Sequence, residues 1–590
     1  MRWDGALREL LEGEPTLGFL HLADALRPAP GEWLPAASDA LPELLRHVED
    51  RRAPMRPEVL FVVEEVARAA RAATPDERWP AVWAAAVPRL TALLDDPAAE
   101  VRRAAALVPA ADGAALLDRF GRERTDAVRV GLVVAIAEQG GESVLPWLAE
   151  RAAEAVLTLA ALTSIARITG EAPVDRLIGA LRGDLSAYEG LHGFHEPAHV
   201  LEWAVAPLAP GPRAAVLLAL TTHPPLHAAV FDVAFALVSA RRSVTGALVP
   251  VFGRLLETAE RGRAAAVLAS VAPASAAYAD RLFALTEDDS PAEQLGAYVV
   301  AEVRDVALWA LLRLRDRRAV APQLARIPDR VRAAQLAVNG AWHLTPLGQA
   351  PLLRELFGGV PEFAAEILPW LGDLLRHPAD APTVLQVTRL LTAWGPVAAP
   401  AAHYLIPHLG SADPRVVEWC ADALGALGAG DERVLSEAAH RAELPWAARS
   451  AAATTLALLG GDPAAADDLL AEGLARREPA AVRRLASLGP AAAHHAPALR
   501  QFDGEEVAVA CALAWLTGDV EALLTEAARG TAEAVRTLAE LGPLPAAAAP
   551  VLRGLLARDE RLSSPGGWRG IVEDDAIRGD AARALANCVD

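Results

Sequence analysis

The segment Ala481–Arg500 (AVRRLASLGPAAAHHAPALR) returns at Ala534–Arg553 as AVRTLAELGPLPAAAAPVLR, with thirteen of twenty positions identical at an offset of 53. A chain that copies itself at this spacing is built from one small unit used many times. Each unit can bury its apolar face only against the next. A looser copy of the Gly-Pro punctuation stands at Gly395–Pro396, 94 residues before Gly489–Pro490, an offset that would hold two units of roughly 47 residues. Periods of this size indicate stacked helical hairpins.

The units read as helix pairs. Val82, Ala86, Leu90, Leu93 and Leu94 share one helical face. Pro88 falls inside that stretch, which predicts a helix kinked or split there. Asp96–Pro97 follows, with Asp96 expected as N-cap and Pro97 at the first helical position, where a missing N–H costs nothing. The second helix carries Val101, Ala104, Ala105 and Val108, an i, i+3, i+4, i+7 stripe. Asp413–Pro414 repeats the arrangement before Val417, Cys420, Ala421 and Leu424, and Asp462–Pro463 opens a third such helix. Val-Arg pairs recur just inside these helices, at Val101–Arg102, Val128–Arg129, Val331–Arg332, Val482–Arg483 and Val535–Arg536. The valine faces the core, while the arginine stem crosses the turn to reach carboxylates or carbonyls between helices.

Asp-Pro turn, Val-Arg and an alanine-rich second helix together resemble HEAT repeats, including the related repeats first noted in phycobilin lyases. The resemblance runs from about Pro80 onward. It is strongest between Thr388 and Arg553, weaker between Ala172 and Thr345, and departs from the pattern at Val416–Val417–Glu418. It implies an all-α fold: an α-solenoid of antiparallel hairpins in a right-handed superhelix; the periodic segments number roughly thirty helices, or about 13–15 hairpins at typical HEAT lengths. No alternating β-pattern of useful length is visible. The expected organisation is a helical cap over 1–75, HEAT-like repeats over 76–345 with an irregular insertion near 183–197, and further repeats with a C-terminal cap over 346–590. The first 75 residues read as helices Trp3–Leu11, Leu17–Leu26, Trp33–Val48 and Pro57–Ala73, with irregular links around Pro28–Pro30. The C-terminus reads as a polar loop, Asp559–Asp575, and a last helix, Ala576–Asn587. The sequence fits either one unbroken superhelix or two arrays hinged near Ala172–Pro225 or Trp342–Pro351.

Hydrophobic residues make up 53% of the 590 and charged residues 22%, which excludes global disorder. The chain carries a net charge of −20, and all of its fixed cations are arginine. Such acidity disfavours nucleic-acid backbones, which need clustered cations. It suits a self-repelling soluble protein, or one that docks a basic protein. Arginine without lysine, with so much alanine, fits a high-GC bacterial genome. Met1–Pro15 lacks the apolar core of a secretory signal, and no apolar run approaches the ~20 residues that span a bilayer, so the expectation is a cytoplasmic protein without membrane segments. Cys420, Cys511 and Cys588 are far apart and form no CxxC pair, so neither a disulfide framework nor a thiolate zinc site is expected.

Three segments could carry chemistry. His195–Glu196–Pro197–Ala198–His199 spells HExxH, the pattern in which two histidines four apart on a helix bind zinc while the glutamate activates water. Pro197 sits inside the five residues that must be helical, and a helix starting near Glu196 leaves His195 at its cap, on a different face. No metal site is therefore expected there. The enclosing loop, Gly183–Pro197, is longer than a repeat turn and carries Tyr188, His192, Phe194 and His195, which makes it either a partner contact or a plain excursion. The run Arg313–Arg318, with Arg315, Arg317 and Arg318 and continued by Arg326, Arg330 and Arg332, is the densest cationic zone. It fits an anion patch, or a solvated turn paired with Asp305, Asp316 and Asp329. His494–His495 fall where the sister repeat has Ala547–Ala548, so exposed surface is the simplest account of them. The tryptophans Trp83, Trp147, Trp309, Trp370 and Trp419 lie in helical stripes as packing anchors. No GxSxG elbow or GxxxxGK[ST] loop occurs.

Repeats without a catalytic constellation point to a non-enzymatic scaffold that binds a protein partner on the concave face lined by its second helices, with no cofactor. Within that class stands an inhibitor or immunity-type protein clamping a basic toxin or enzyme. The resemblance also admits a phycobilin-lyase-like enzyme or accessory, and a DNA-glycosylase-like protein, which the acidity opposes.

Overall fold

The structure is a computed structural model that describes residues 3–12, 15–26, 36–72, 75–193, 195–295, 298–333, 353–376, 381–502, 506–563 and 567–588. Helices dominate, and the backbone divides into two compact units, Met1–Ala234 and Phe235–Asp590. In both, helical hairpins stack so that each second helix lies against the second helix of the next pair.

In the first unit this layer comprises Arg56–Ala72, Ala99–Leu107, Asp126–Gly140, Thr158–Thr169 and Pro197–Val205. The other layer holds Ala36–Glu49, Trp79–Ala92, Gly113–Arg122, Leu145–Arg151 and Val174–Leu181. The N-terminal helices are Trp3–Glu12, Pro15–Leu26, Ala36–Glu49 and Arg56–Ala72, close to the sequence reading. The links around Pro28–Pro30 lie outside the described residues. Of the expected kink or split at Pro88, the split does not occur: Trp79–Ala92 is one helix through Pro88. Both Pro88 and Ala84, whose carbonyl loses its partner, face solvent, where water can replace the missing bond. Asp96 is also not the N-cap of the next helix, which begins at Ala99. Its carboxylate instead accepts from Ala98 N and pairs with the buried Arg56 at 2.5 Å. Asp413 does cap its helix, with Pro414 at the first position.

In the second unit the layer runs Arg261–Ser270, Val303–Arg313, Leu353–Phe357, Ala381–Trp394, Pro414–Leu427, Trp446–Leu458, Pro479–Leu488, Glu506–Thr517, Ala532–Glu540 and Gly567–Ala586. The sister repeats keep their offset of 53 in the backbone: Arg477 (φ 58°) matches Gly530 (φ 87°), and Gly489 (φ 59°) matches Gly542 (φ 87°). These left-handed residues end helices, where the chain must reverse. Small side chains bring helices close; a Cβ on Gly473 would overlap the Trp446 ring.

Arginines after valine bridge neighbouring turns as expected at Arg102, which meets Glu123 at 2.9 Å, and at Arg129, which meets Glu154 at 2.6 Å. At Val482 the bridge comes from Arg484, while Arg483 is exposed. A two-stranded antiparallel hairpin, Pro291–Leu295 with Tyr298–Glu302, interrupts the helices. Its strands are five residues each, too short to show alternation.

The last helix corrects the sequence reading most. It spans Gly567–Ala586, starting nine residues before the expected Ala576. The acidic stretch Glu573–Asp574–Asp575 reads as a loop only while its charges are unpaired. Asp574 is fully buried between Arg561 and Arg578, each at 3.0 Å. This helix packs on its predecessors and also returns to Arg261–Ser270, at the start of the unit. Trp568 meets Trp309 edge-on at 5.2 Å, and Arg561 donates to Val238 O at 3.2 Å. The second unit therefore joins its last repeat to its first.

Candidate functional site

The insertion near 183–197 folds back over the second-helix layer of the first unit. Tyr188 is 2% exposed; its hydroxyl donates to Val156 O at 2.8 Å and accepts from Ala160 N at 3.0 Å. Burial pushes the phenol well above its ordinary range. His192 adopts φ 49°, which turns its Nδ1 to within 2.7 Å of the buried Glu64. Arg103 donates to Glu189 O at 2.5 Å, and desolvation beneath the loop lowers its guanidinium. Gly190 lies against that guanidinium with φ 76°, where a side chain would overlap it. Tyr188 and His192 thus anchor the loop, and His195 is exposed on it. Phe194 lies outside the described residues.

The HExxH segment does not form one helical turn. Glu196 is extended (φ −134°, ψ 150°), Pro197 occupies the first helical position, and His195 precedes the helix that carries His199.

In the second unit the arginine run is paired with acids. Arg315, at φ 59°, approaches Glu362 at 3.5 Å; Arg317 meets Glu366 at 2.8 Å. Arg318 meets Asp316 at 2.6 Å and Asp280 at 3.1 Å, and stacks over Phe283. Those two carboxylates raise the Arg318 guanidinium further above its ordinary value. Arg326 pairs with Glu302 and Asp305. The side chains of Arg330 and Arg332, and the Trp342–Pro351 hinge, lie outside the described residues.

The second-helix layer is not equally accessible along its length. In the first unit residues 130–137 are buried on every side, next to the inserted loop. In the second, residues 264–270 and 305–312 are likewise enclosed, next to the returning last helix. The layer is more open at several later helices, Pro414–Leu427 among them. There Arg415, Glu418, Trp419 and Asp422, spaced at i, i+3, i+4 and i+7, form an outward stripe. Arg415 lies 6.0 Å from the Trp419 ring and holds the Asp413 carboxyl below its usual range. Arg484 joins the stripe from the helix two repeats on, reaching Glu418 at 2.8 Å, Asp422 at 3.2 Å and Ser450 at 2.8 Å. Burial would lower this guanidinium, but the carboxylates of Asp422 and Glu418 outweigh it and raise it.

Trp309 is enclosed, whereas Trp419 is only half-buried, which sequence periodicity does not distinguish. The available signal was the departure at Val416–Val417–Glu418, where an acid replaces the expected arginine. The pair His494–His495 splits: His494 is exposed, and His495 is buried against Asp467.

No family model matches the chain, and no curated protein matches it. Among solved structures, a Kap121p mutant is similar at 12% identity over 93% of this chain and 69% of that one, with a TM-score of 0.42. The S. pombe condensin Cnd3–Cnd2 subcomplex is similar at 13% identity over 99% and 81%, with a TM-score of 0.27. Importin beta is similar at 13% identity over 94% and 80%, with a TM-score of 0.36. Likeness at this level leaves function to be argued from the chain's own residues.

Proposed function

We propose that the chain is a non-enzymatic scaffold that binds a protein partner on the open part of its second-helix layer, centred on Arg415, Glu418, Trp419 and Asp422. The observation that carries this reading is the contrast along the layer. The inserted loop and the last helix lie against other parts of the layer, whereas Pro414–Leu427 presents a half-buried tryptophan flanked by charge on one exposed stripe. Tryptophan and arginine are the residues most enriched where interface energy concentrates. Acids on both sides of the ring suit a partner offering basic side chains.

The test is affinity capture from the native cell, with wild-type chain and the variants W419A and D422R as parallel baits. A stoichiometric protein partner held by the wild type and lost with either variant supports the reading. A captured set unchanged by both variants overturns it, as does turnover of a small molecule by the purified chain. No helix among the described residues is long and apolar enough to cross a membrane.

A further inference from the structure

Asp467, His494 and His495 form the only group of three metal-capable side chains among the described residues whose donor atoms all lie within 4.8 Å of one another. Asp467 stands in the first turn of Ala464–Ala475, and the histidines close the turn Gly489–His495. Nε2 of His494 and Nε2 of His495 each lie 2.7 Å from the same oxygen, Asp467 Oδ1. The His495 side chain is 9% exposed, that of His494 58% and that of Asp467 47%. One imidazole is thus fixed by packing, and the other two donors open to solvent.

The sister repeat shows that the fold has no need of these groups. At the offset of 53 their positions are Val520, Ala547 and Ala548, all apolar, in a backbone that keeps the same left-handed residues. All three polar side chains are added together in one repeat and converge on one point. Burial pulls the Asp467 carboxyl upward, and the hydrogen bonds from His495 and His494 outweigh it, leaving the carboxyl below its ordinary range.

We propose that Asp467 Oδ1 and the Nε2 atoms of His494 and His495 bind a divalent transition-metal ion of the zinc class. Two imidazoles with one carboxylate suit Zn2+, Co2+ or Ni2+, whereas Mg2+ and Ca2+ ask for oxygen donors. Each imidazole then carries its proton on Nδ1 and turns a bare Nε2 to the ion. Bond lengths of 2.0–2.1 Å in a tetrahedral site set ligands about 3.3 Å apart. The present 2.7 Å contacts need to open by only roughly half an ångström. The fourth position faces solvent and takes water.

Untagged full-length chain, stripped with a chelator, is titrated calorimetrically with Zn2+ and spectroscopically with Co2+. One equivalent of either ion is expected, with Co2+ giving the intense visible bands of a tetrahedral site. The variants H494A/H495A and D467V restore the residues of the sister repeat, so the fold is expected to hold, as circular dichroism will show. Outer-shell changes alone weaken metal sites by roughly 10–100-fold, so each variant should bind at least about 100-fold more weakly and lose the Co2+ bands. If either misfolds, the exposed His494→Ala alone should weaken binding by at least about tenfold. A wild type without a stoichiometric site, or folded variants that bind as it does, overturns the proposal.

Discussion

Replacing Trp568 with alanine tests whether the last repeat of the second unit truly joins the first. Trp568 is 7% exposed and packs edge-on against Trp309, itself 1% exposed, far away in the sequence. Truncating a buried tryptophan costs about 3–5 kcal/mol, through lost transfer energy and the cavity left behind. At 1.4 kcal/mol per decade, the opened state of Gly567–Ala586 should become roughly 100- to 4,000-fold more populated. The distribution of that loss discriminates more sharply than its size. In an open array each repeat is coupled only to its neighbours, so deprotection would stay within Ala532–Ala586. Here the last helix also packs on Arg261–Ser270, and its Trp568 meets Trp309 of Val303–Arg313. Hydrogen exchange read by mass spectrometry should therefore show faster exchange in those two helices as well. W568A with unchanged exchange over residues 261–270 and 303–313 would refute the joined arrangement.

Two further predictions concern titrating groups. Arg261, with help from Ser290, holds the Asp288 carboxyl down to about 2. A depressed carboxyl stabilises the fold above its unfolded value and loses that contribution as pH falls through the folded one. The melting-temperature gap between wild type and D288N should be full above about pH 4 and shrink towards pH 2; a gap independent of pH contradicts this. Burial pushes the Cys420 thiol up to about 12 and the Cys511 thiol up to about 11, while Cys588 is only partly covered. A thiol reagent should therefore label one cysteine per native chain rapidly and all three after unfolding, and rapid labelling of Cys420 would count against its burial.

Repetition was the most legible property of the sequence, because identical residues at a fixed offset need identical neighbours. The four N-terminal helices were equally legible from periodicity alone. What periodicity missed depends on charge pairing or on remote contacts. Asp574 reads as a loop residue until Arg561 and Arg578 are brought to it, and Asp96 reads as a helix cap until Arg56 claims its carboxylate. Likewise Tyr188 reads as a contact residue on a long loop, yet the structure buries it. The accessible stripe around Trp419 was illegible for a related reason: which part of a layer stays open depends on where the loop and the last helix come to rest. The paired histidines were noticed as dispensable to the repeat, but Asp467, which brings them together, lies too far upstream for local pattern to connect them.

The most direct measurement of the scaffold reading is a hydrogen-exchange footprint of the chain with and without its captured protein partner. The account predicts slowed exchange centred on Pro414–Leu427 and extending to the helix of Arg484, with the enclosed residues 130–137 unchanged. Protection confined to other segments, with Pro414–Leu427 exchanging as in the free chain, would contradict it.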